Sequence, residues 1–311
     1  MTADLHTHTT ASDGTFTPTG LVTAAHSCGL SLLAVTDHDT TAGIAEAQAV
    51  AAQLQIDFIP GVELSAEGAP GKCHLLGLGI DPHYPPLQQT LRQLSENRRQ
   101  RNEKIIARLN VLGVAITMED VLAFTPPGAN LGRPHFAAAL VARGAVADTR
   151  EAFTRFLGDD AAAYVIKETL SPAKAIALVH EAGGLCFLAH PGLLRLATHE
   201  TYESRVRALQ ALNLDGIEAY YSSYSPAEEA QFLRLAEKLT LLVTGGSDFH
   251  GANKPHVALG IVRDGQPLSR ALLPAGLQER VAVSVDSFAP EPLARSGDGA
   301  EAPDPAPAQP G

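Results

Sequence analysis

Short apolar runs rich in Val, Ile and Leu alternate with longer amphipathic stretches along the first eighty residues of this chain and again along its last hundred ordered-looking ones. Residues 3–8 predict a first strand, and Thr17-Pro18, a capping Thr followed by a Pro at the first helical position, opens a helix over 17–29. Leu32-Leu33-Ala34-Val35-Thr36 predicts a second strand, followed by an Ala-rich helix over 42–54. Phe58 to Val62 makes a third, irregular strand, and Cys73 to Ile80 a fourth. From 87 to 182 the period turns helical: Leu87–Leu112, 117–124, Pro134–Arg143, 149–157 and Pro172–Ala182. Strand and helix then return as strand 185–189, helix 199–212, strand 216–220, helix 226–238 and strand 240–244. Seven strands in mostly βα succession, with a helical block after the fourth, predict a parallel sheet with crossover helices, wound open or closed as a barrel. Beyond residue 285 the composition turns to Ala, Pro, Gly, Ser and Asp, which lacks the apolar area to offset the entropy of ordering, so 285–311 is expected to be disordered.

With 311 residues, 45% hydrophobic and 18% charged, the chain has the makeup of a globular protein with a substantial core. No apolar run approaches the roughly 18 residues of a membrane span, and Met1 leads directly into Asp4 and His6 with no signal-like segment, so a cytoplasmic protein with no membrane partner is expected. Cys28, Cys73 and Cys186 are odd in number and sit in apolar stretches, and read as buried free thiols. A net charge of −11 argues against a basic face for duplex DNA. It leaves room for a small anion, because bound divalent cations reverse the local potential.

The chemistry concentrates at strand ends. His6 and His8, two apart on an extended segment, point to one side and can reach one ion together. Asp13 follows. Then come Asp37-His38-Asp39 after strand two, Glu63 after strand three, His74 within strand four, His190-Pro191 after strand five and Asp248-Phe249-His250 after strand seven. Loops at carboxyl strand ends of a βα fold converge on one face, so His6, His8, Asp13, His38, Glu63, His74, His190, Asp248 and His250 are expected to form one site. His26, His83, His180, His199 and His256 fall elsewhere and read as scatter. Six imidazoles and three carboxylates suit Mn, Fe or Zn over Mg or Ca, and nine ligands are enough for two or three ions spaced to clamp an in-line phosphoryl displacement. In the helical block, Gly132-Arg133-Pro134-His135 opens a helix, and Arg133 offers a planar fork to phosphate beside free backbone amides. Lys167 reads as a surface lysine. Arg92, Arg98, Arg99, Arg101, Lys104 and Arg108 share one long helix with Glu96 and Glu103, which reads as a solvated face more than as an RNA contact.

Together His6-x-His8, Asp13-Gly14, Thr36-Asp37-His38-Asp39, Gly61-Val62-Glu63, His74, Ala189-His190-Pro191 and Ser247-Asp248-x-His250 resemble the polymerase-and-histidinol-phosphatase (PHP) family of metal-dependent phosphoesterases over residues 3 to 260. The resemblance implies an α/β fold, a distorted seven-stranded (βα)7 barrel with an inserted helical cap: a domain over 1–284 with the cap at 87–170. It implies three divalent ions, with manganese expected. His6, His8, Glu63 and Asp248 would hold the first, Glu63, His74 and His190 the second, and Asp13, His38 and His250 the third. His190, Asp248 and His38 would then be needed for turnover. Within the family, Gly132 to Ala137 and Ala152 to Gly158 resemble the branch of 3′,5′-nucleoside bisphosphate phosphatases, whose members are also 5′-to-3′ exoribonucleases. That branch implies a small phosphorylated nucleotide or short single-stranded RNA as substrate, bound in part by Arg133 and His135. A histidinol-phosphate phosphatase and a non-catalytic, metal-stabilised module are the competing readings.

Overall fold

The computed structural model describes residues 1–279 apart from 69, 70, 126–129, 160 and 264, so the expected tail at 285–311 lies outside the described residues. Among the described residues nine strands form one sheet in the order β7-β6-β5-β4-β3-β2-β1-β9-β8. They are β1 Thr2–Asp4, β2 Leu30–Val35, β3 Asp57–Ala66, β4 Cys73–Leu78, β5 Leu185–Leu188, β6 Gly216–Tyr221, β7 Leu242–Gly246, β8 Ile261–Arg263 and β9 Gln266–Ser269. The first seven match the strands expected from the sequence. The sheet exceeds that count by a hairpin, β8 and β9, of strands too short to show a period, with β9 laid antiparallel on β1. The sheet bends almost shut, because the segment after β1 reaches β7: the Leu5 amide donates to the Gly245 carbonyl at 3.2 Å, the Asp248 amide to His6 at 2.8 Å and the His8 amide to Phe249 at 3.0 Å.

The sheet also departs from a uniform βα barrel at β4, which runs antiparallel to both β3 and β5. The six residues between β3 and β4 are too few for the crossover that a parallel pair requires, so the chain makes a hairpin. β3 is longer than the five-residue strand expected, because it pairs parallel with β2 through Asp57–Pro60 and then antiparallel with β4 through Gly61–Ala66. Glu63 therefore lies inside a strand, not after one.

Alternation along β2 separates two apolar layers. Leu32 and Ala34 join Leu5, Ile59, Leu76, Phe187 and Leu268 in the core enclosed by the sheet. Leu33 and Val35 face α1 (Pro18–Ser27) and α2 (Ile44–Leu54) through Leu21, Val22, Ile44 and Ala47. As the sequence suggests, the Thr17 side chain caps α1 by accepting from the Gly20 amide at 3.0 Å. α7 (Pro172–Glu181), α8 (Tyr202–Gln210) and α9 (Pro226–Leu239) cover the other half of the sheet. Cys73 and Cys186 are buried and free, whereas Cys28 is exposed, since it caps the carboxyl end of α1 and projects past the packed face.

Between β4 and α7 the chain builds a helical lobe: α3 Pro85–Val111, α4 Met118–Leu122, α5 Arg133–Ala142 and α6 Thr149–Ala152, which runs into a single π-helical turn at Phe153–Leu157. The lobe has its own apolar cluster, including Ile105, Leu109, Val121, Phe136, Leu140 and Phe156. α3 belongs to both halves: Leu87, Leu91 and Leu94 pack in the barrel's outer layer, Ile105 and Leu109 in the lobe. No helix among the described residues is long and apolar enough to cross a membrane.

The seam between β1 and β7 permits no side chain at Gly246, where an added Cβ would lie 2.3 Å from the His6 Cβ and 2.4 Å from its amide nitrogen. Gly246→Ala is expected to force the seam apart and lower stability by at least about 2 kcal/mol, read from the urea midpoint. A midpoint equal to that of the parent protein would show that β7 has slack there.

Candidate metal centre

All nine sequence-predicted ligands meet at one rim of the barrel. His6 and His8 lie just past β1, held extended by the Thr7–Phe249 bridge, and His38 lies past β2, bridged to Glu63. His190 follows β5, and Asp248 and His250 follow β7. His74 reaches the same rim from the opposite direction: it is the second residue of β4, and β4 alone among these strands runs antiparallel to its neighbours, so its amino end lies where the others have their carboxyl ends.

Glu63, with no solvent exposure, is the hub. Its Oε2 stands 3.2 Å from His6 Nε2, 3.1 Å from His8 Nε2 and 3.0 Å from His38 Nδ1. Its Oε1 stands 2.8 Å from His74 Nδ1 and 3.1 Å from His190 Nε2. Asp248 Oδ1 faces His6, His8 and His250 at 3.3–3.5 Å. Asp13 Oδ1 faces His250 Nε2 at 3.3 Å and His38 Nε2 at 4.0 Å. Three compact donor groups result, each with its ligand atoms within 4.8 Å of one another: His6, His8, Glu63 and Asp248; His8, Asp13, His38 and His250; and His38, Glu63 and His74. The first is the expected quartet and the second is the expected Asp13 trio joined by His8. In the third, His38 takes the place expected for His190, which stands against Glu63 outside that trio.

The donors fit cations. Six of the ten buried side-chain polar atoms without a hydrogen-bond partner among the described residues belong here: His6 Nε2, His8 Nε2, Asp13 Oδ1, His38 Nδ1, Glu63 Oε2 and His74 Nδ1. Buried polar atoms are seldom left unpaired, so six orphans aimed at one spot mark a place for metal ions. The local field agrees. Burial opposes a charge on His6, yet Glu218, Glu63 and Asp248 raise its pKa well above the ordinary value. Burial would raise the Glu63 carboxyl, but His38, His6 and His74 hold it well below the usual range.

Further residues hold the ligands in place, Glu218, Tyr221 and Lys254 among them not singled out in the sequence. Glu218, buried in β6, accepts from His6 Nδ1 at 2.9 Å through Oε1 and from the His190 amide at 2.7 Å through Oε2, which aims His6 Nε2 inward. Tyr221 donates its hydroxyl to Asp248 Oδ2 at 2.8 Å and Lys254 approaches the same oxygen at 2.5 Å, leaving Oδ1 for the histidines. His250 Nδ1 pairs with the Asp248 carbonyl at 2.8 Å, so Nε2 points at Asp13. Asp37 accepts from the Thr9 amide at 2.8 Å, Thr9 Oγ1 at 2.7 Å and Ser12 Oγ at 2.6 Å, and so shapes the loop that carries Asp13. Alternation could have exposed Glu218, a lone carboxylate in the apolar strand Gly216–Tyr221; Lys254 has no such signal.

Beside the cluster lies a cavity of about 210 Å³ whose lining includes Asp13, His38 and His74 together with Arg98, Arg101, Arg133, Lys72 and Lys167. This overturns two sequence readings. The α3 arginines divide, with Arg99 exposed between Glu96 and Glu103 while Arg98 and Arg101 are buried and face the cavity. Lys167 is not a surface lysine: its ammonium pairs with Asp39 Oδ2 and with Ser65 Oγ, each at 2.6 Å. A helical stripe in sequence shows only that residues share a face, not which part of it another lobe covers. Burial, then the neighbouring Arg133 and Arg98, lowers the pKa of Arg101, and burial pushes Lys167 down to about 8, so the wall crowds positive charge. Arg133 lines the cavity while its Nη1 is held by the Leu157 carbonyl at 3.0 Å and Asp159 at 2.7 Å. His135 is buried, uses Nδ1 to accept from the Gly132 amide at 3.0 Å, and is not among the lining residues.

Comparison with known proteins sharpens the picture. The PHP domain matches residues 4–122. A 3′,5′-nucleoside bisphosphate phosphatase of Chromobacterium violaceum is 35% identical over 269 residues, which span 86% of this chain and 94% of that protein. The 5′-3′ exoribonuclease Rnm of Escherichia coli is 35% identical over 277 residues, 88% of this chain and 91% of the relative. Among solved structures, an amidohydrolase of Chromobacterium violaceum with bound sulfate and no metal superposes with a TM-score of 0.80 at 33% identity, covering 90% of this chain and 97% of the other.

Removing the carboxylate behind His6 tests the donor geometry. Glu218→Gln is expected to weaken metal affinity about 10- to 100-fold with the fold intact, measured by metal titration against a competing chelator. Unchanged affinity would show that His6 needs no such support.

Proposed function

We propose, since the chain belongs to the PHP family of metal-dependent phosphoesterases, that it hydrolyses 3′,5′-nucleoside bisphosphates to 5′-mononucleotides and phosphate, and that it removes nucleotides from 5′-phosphorylated RNA by the same chemistry. One observation carries this reading: three residues of the donor cluster, Asp13, His38 and His74, line the same cavity as Arg98, Arg101, Arg133, Lys72 and Lys167. A substrate with one phosphate would use only half of that arrangement. A nucleotide with two places one phosphate against the donors and the other against the cations. The bound sulfate of the Chromobacterium structure is a tetrahedral anion of the kind such a cavity would accept.

In the reaction, the nine ligands would hold three divalent ions, with manganese expected and iron or zinc compatible with the mixed N and O donors. The ions supply charge neutralisation and activation of water for an in-line displacement at phosphorus. Glu63 joins the donor groups, because its two oxygens face different histidines. Asp248, pinned through Oδ2, keeps Oδ1 oriented at His6 and His8. Arg98, Arg101 and Lys167 would bind and orient the second phosphate, fixing the scissile one at the rim, and Arg133 would close the side of the cavity. His38, His190 and Asp248 are the ligands whose loss would stop turnover.

The deciding measurement is phosphate release from adenosine 3′,5′-bisphosphate, histidinol phosphate and a short 5′-phosphorylated RNA by the Mn-loaded protein. The bisphosphate or RNA should be preferred, and preference for histidinol phosphate would overturn this reading. Lys167 adds a pH signature. An ammonium that titrates near pH 8 in the free enzyme binds phosphate below that pH and releases its charge above it, so kcat/KM for the bisphosphate should fall above about pH 8. Lys167→Arg should move that alkaline limb to higher pH. A limb that stays put in the variant takes Lys167 out of the site.

A further inference from the structure

Asp39, next to the ligand His38, reaches toward the lobe and not toward the donor cluster. Its side chain is fully buried, and Oδ2 accepts from Arg98 and, at 2.6 Å, from Lys167 Nζ. Ser65 donates its amide to Oδ1 at 2.9 Å and its hydroxyl to Oδ2 at 3.2 Å. The two cations come from separate parts of the chain, Arg98 from α3 and Lys167 from the segment before α7, and both line the cavity with Ser65. One carboxylate shared by two cations leaves net positive charge at the wall. Among the described residues the buried Nε of Arg98 has no hydrogen-bond partner, so the guanidinium is not used up by the pair.

The backbone of Asp39 ties this junction to the donors. Its φ of +52° is left-handed, an uncommon setting for a residue with a side chain, and one the surroundings must impose. Its amide donates to the Glu63 carbonyl at 3.0 Å, while its carbonyl accepts from Asn130 Nδ2 at 3.3 Å. Asp39 thus links the strand that carries Glu63 to Arg98 and Lys167, and Ser65 on that strand holds Lys167 as well.

We infer that Asp39 is a positioning residue that confers selectivity for substrates with a second phosphate, by holding Arg98 and Lys167 at a fixed reach from the metal ligands. The inference rests on the bisphosphate reading above. It does not make Asp39 a ligand or a proton carrier: Asp39 acts through its two cations.

The test compares Asp39→Asn with the parent enzyme on adenosine 3′,5′-bisphosphate and on p-nitrophenyl phosphate, which has a single phosphate, and measures bound metal in both. The KM for the bisphosphate should rise about tenfold, kcat should stay within about threefold, and the bisphosphate-to-monophosphate ratio of kcat/KM should fall about tenfold, with metal content unchanged. An unmoved ratio, an equal fall on both substrates or a loss of metal would each overturn the inference. A double-mutant cycle covers the case in which the single variant cannot fold around two unpaired cations. Because Asp39 acts through Arg98 and Lys167, adding Asp39→Asn to the Arg98→Gln, Lys167→Gln variant should lower the ratio much less than tenfold, and a full further tenfold loss would sink the idea. A parent enzyme that does not prefer the bisphosphate defeats the functional reading itself, whereas a preference retained by Asp39→Asn defeats only the positioning role.

Discussion

A carboxylate with no contact to solvent, Glu63, lies among five imidazoles: His6, His8 and His38 on one oxygen, His74 and His190 on the other. Burying that charge is strongly unfavourable unless positive partners surround it, and histidine rings supply such partners only as far as they are protonated or carry metal ions. The barrel rim is built to satisfy this demand. Strands β1, β2, β4, β5 and β7 each bring a donor to it, and β6 contributes Glu218 to orient two of them. The hairpin at β4 also follows from it, since reversing that strand lets His74 face Glu63 from a position a parallel strand would have used for the opposite rim.

Backbone strain gathers at the same place. Six residues other than glycine have positive φ among the described ones; Gln55, Asn213 and Thr240 lie at or just past helix ends, where a left-handed residue is common. The other three are Asp39, His190 and Asp248. The helix-end residues relieve orphan carbonyls, whereas these three turn a chain leaving a strand sharply, which brings the side chains of His190 and Asp248 to the barrel mouth and sends that of Asp39 toward Arg98 and Lys167. Such conformations persist only where the surroundings over-determine them. For Asp248 the Tyr221 and Lys254 contacts do so, and for His190 the hydrogen bond from its amide to Glu218.

Much of this was legible in the sequence, for identifiable reasons. Strands β1 to β7 announce themselves as apolar runs, and the placement of His and Asp just beyond them is what an α/β rim requires, so the donor set could be read before any coordinates. Strand direction was not legible from apolar runs: the reversal of β4 shows only in the six-residue link before it. β8 and β9 were missed because three or four residues carry no period. The cationic wall was misread because Arg98 and Arg99 look alike on a helix until a second lobe covers one of them. Glu218, Tyr221 and Lys254 act through ligands, and residues of that kind leave no motif.

The seam that closes the barrel also orders events in time. Bonds between Leu5 and Gly245 and between His6 and Asp248 join segments far apart in sequence, so during synthesis the first strand emerges long before the strand it must meet. His6 and His8 leave the ribosome before Glu218 and Asp248, which face them in the folded rim, are translated. Pairings this distant in sequence form slowly, because loop closure must precede the contacts that reward it. The lobe, whose core lies between residues 105 and 165, is under no such constraint and can fold from local contacts. Local contacts therefore suffice for the lobe, whereas the donor rim is complete only once β7 and the residues after it are made.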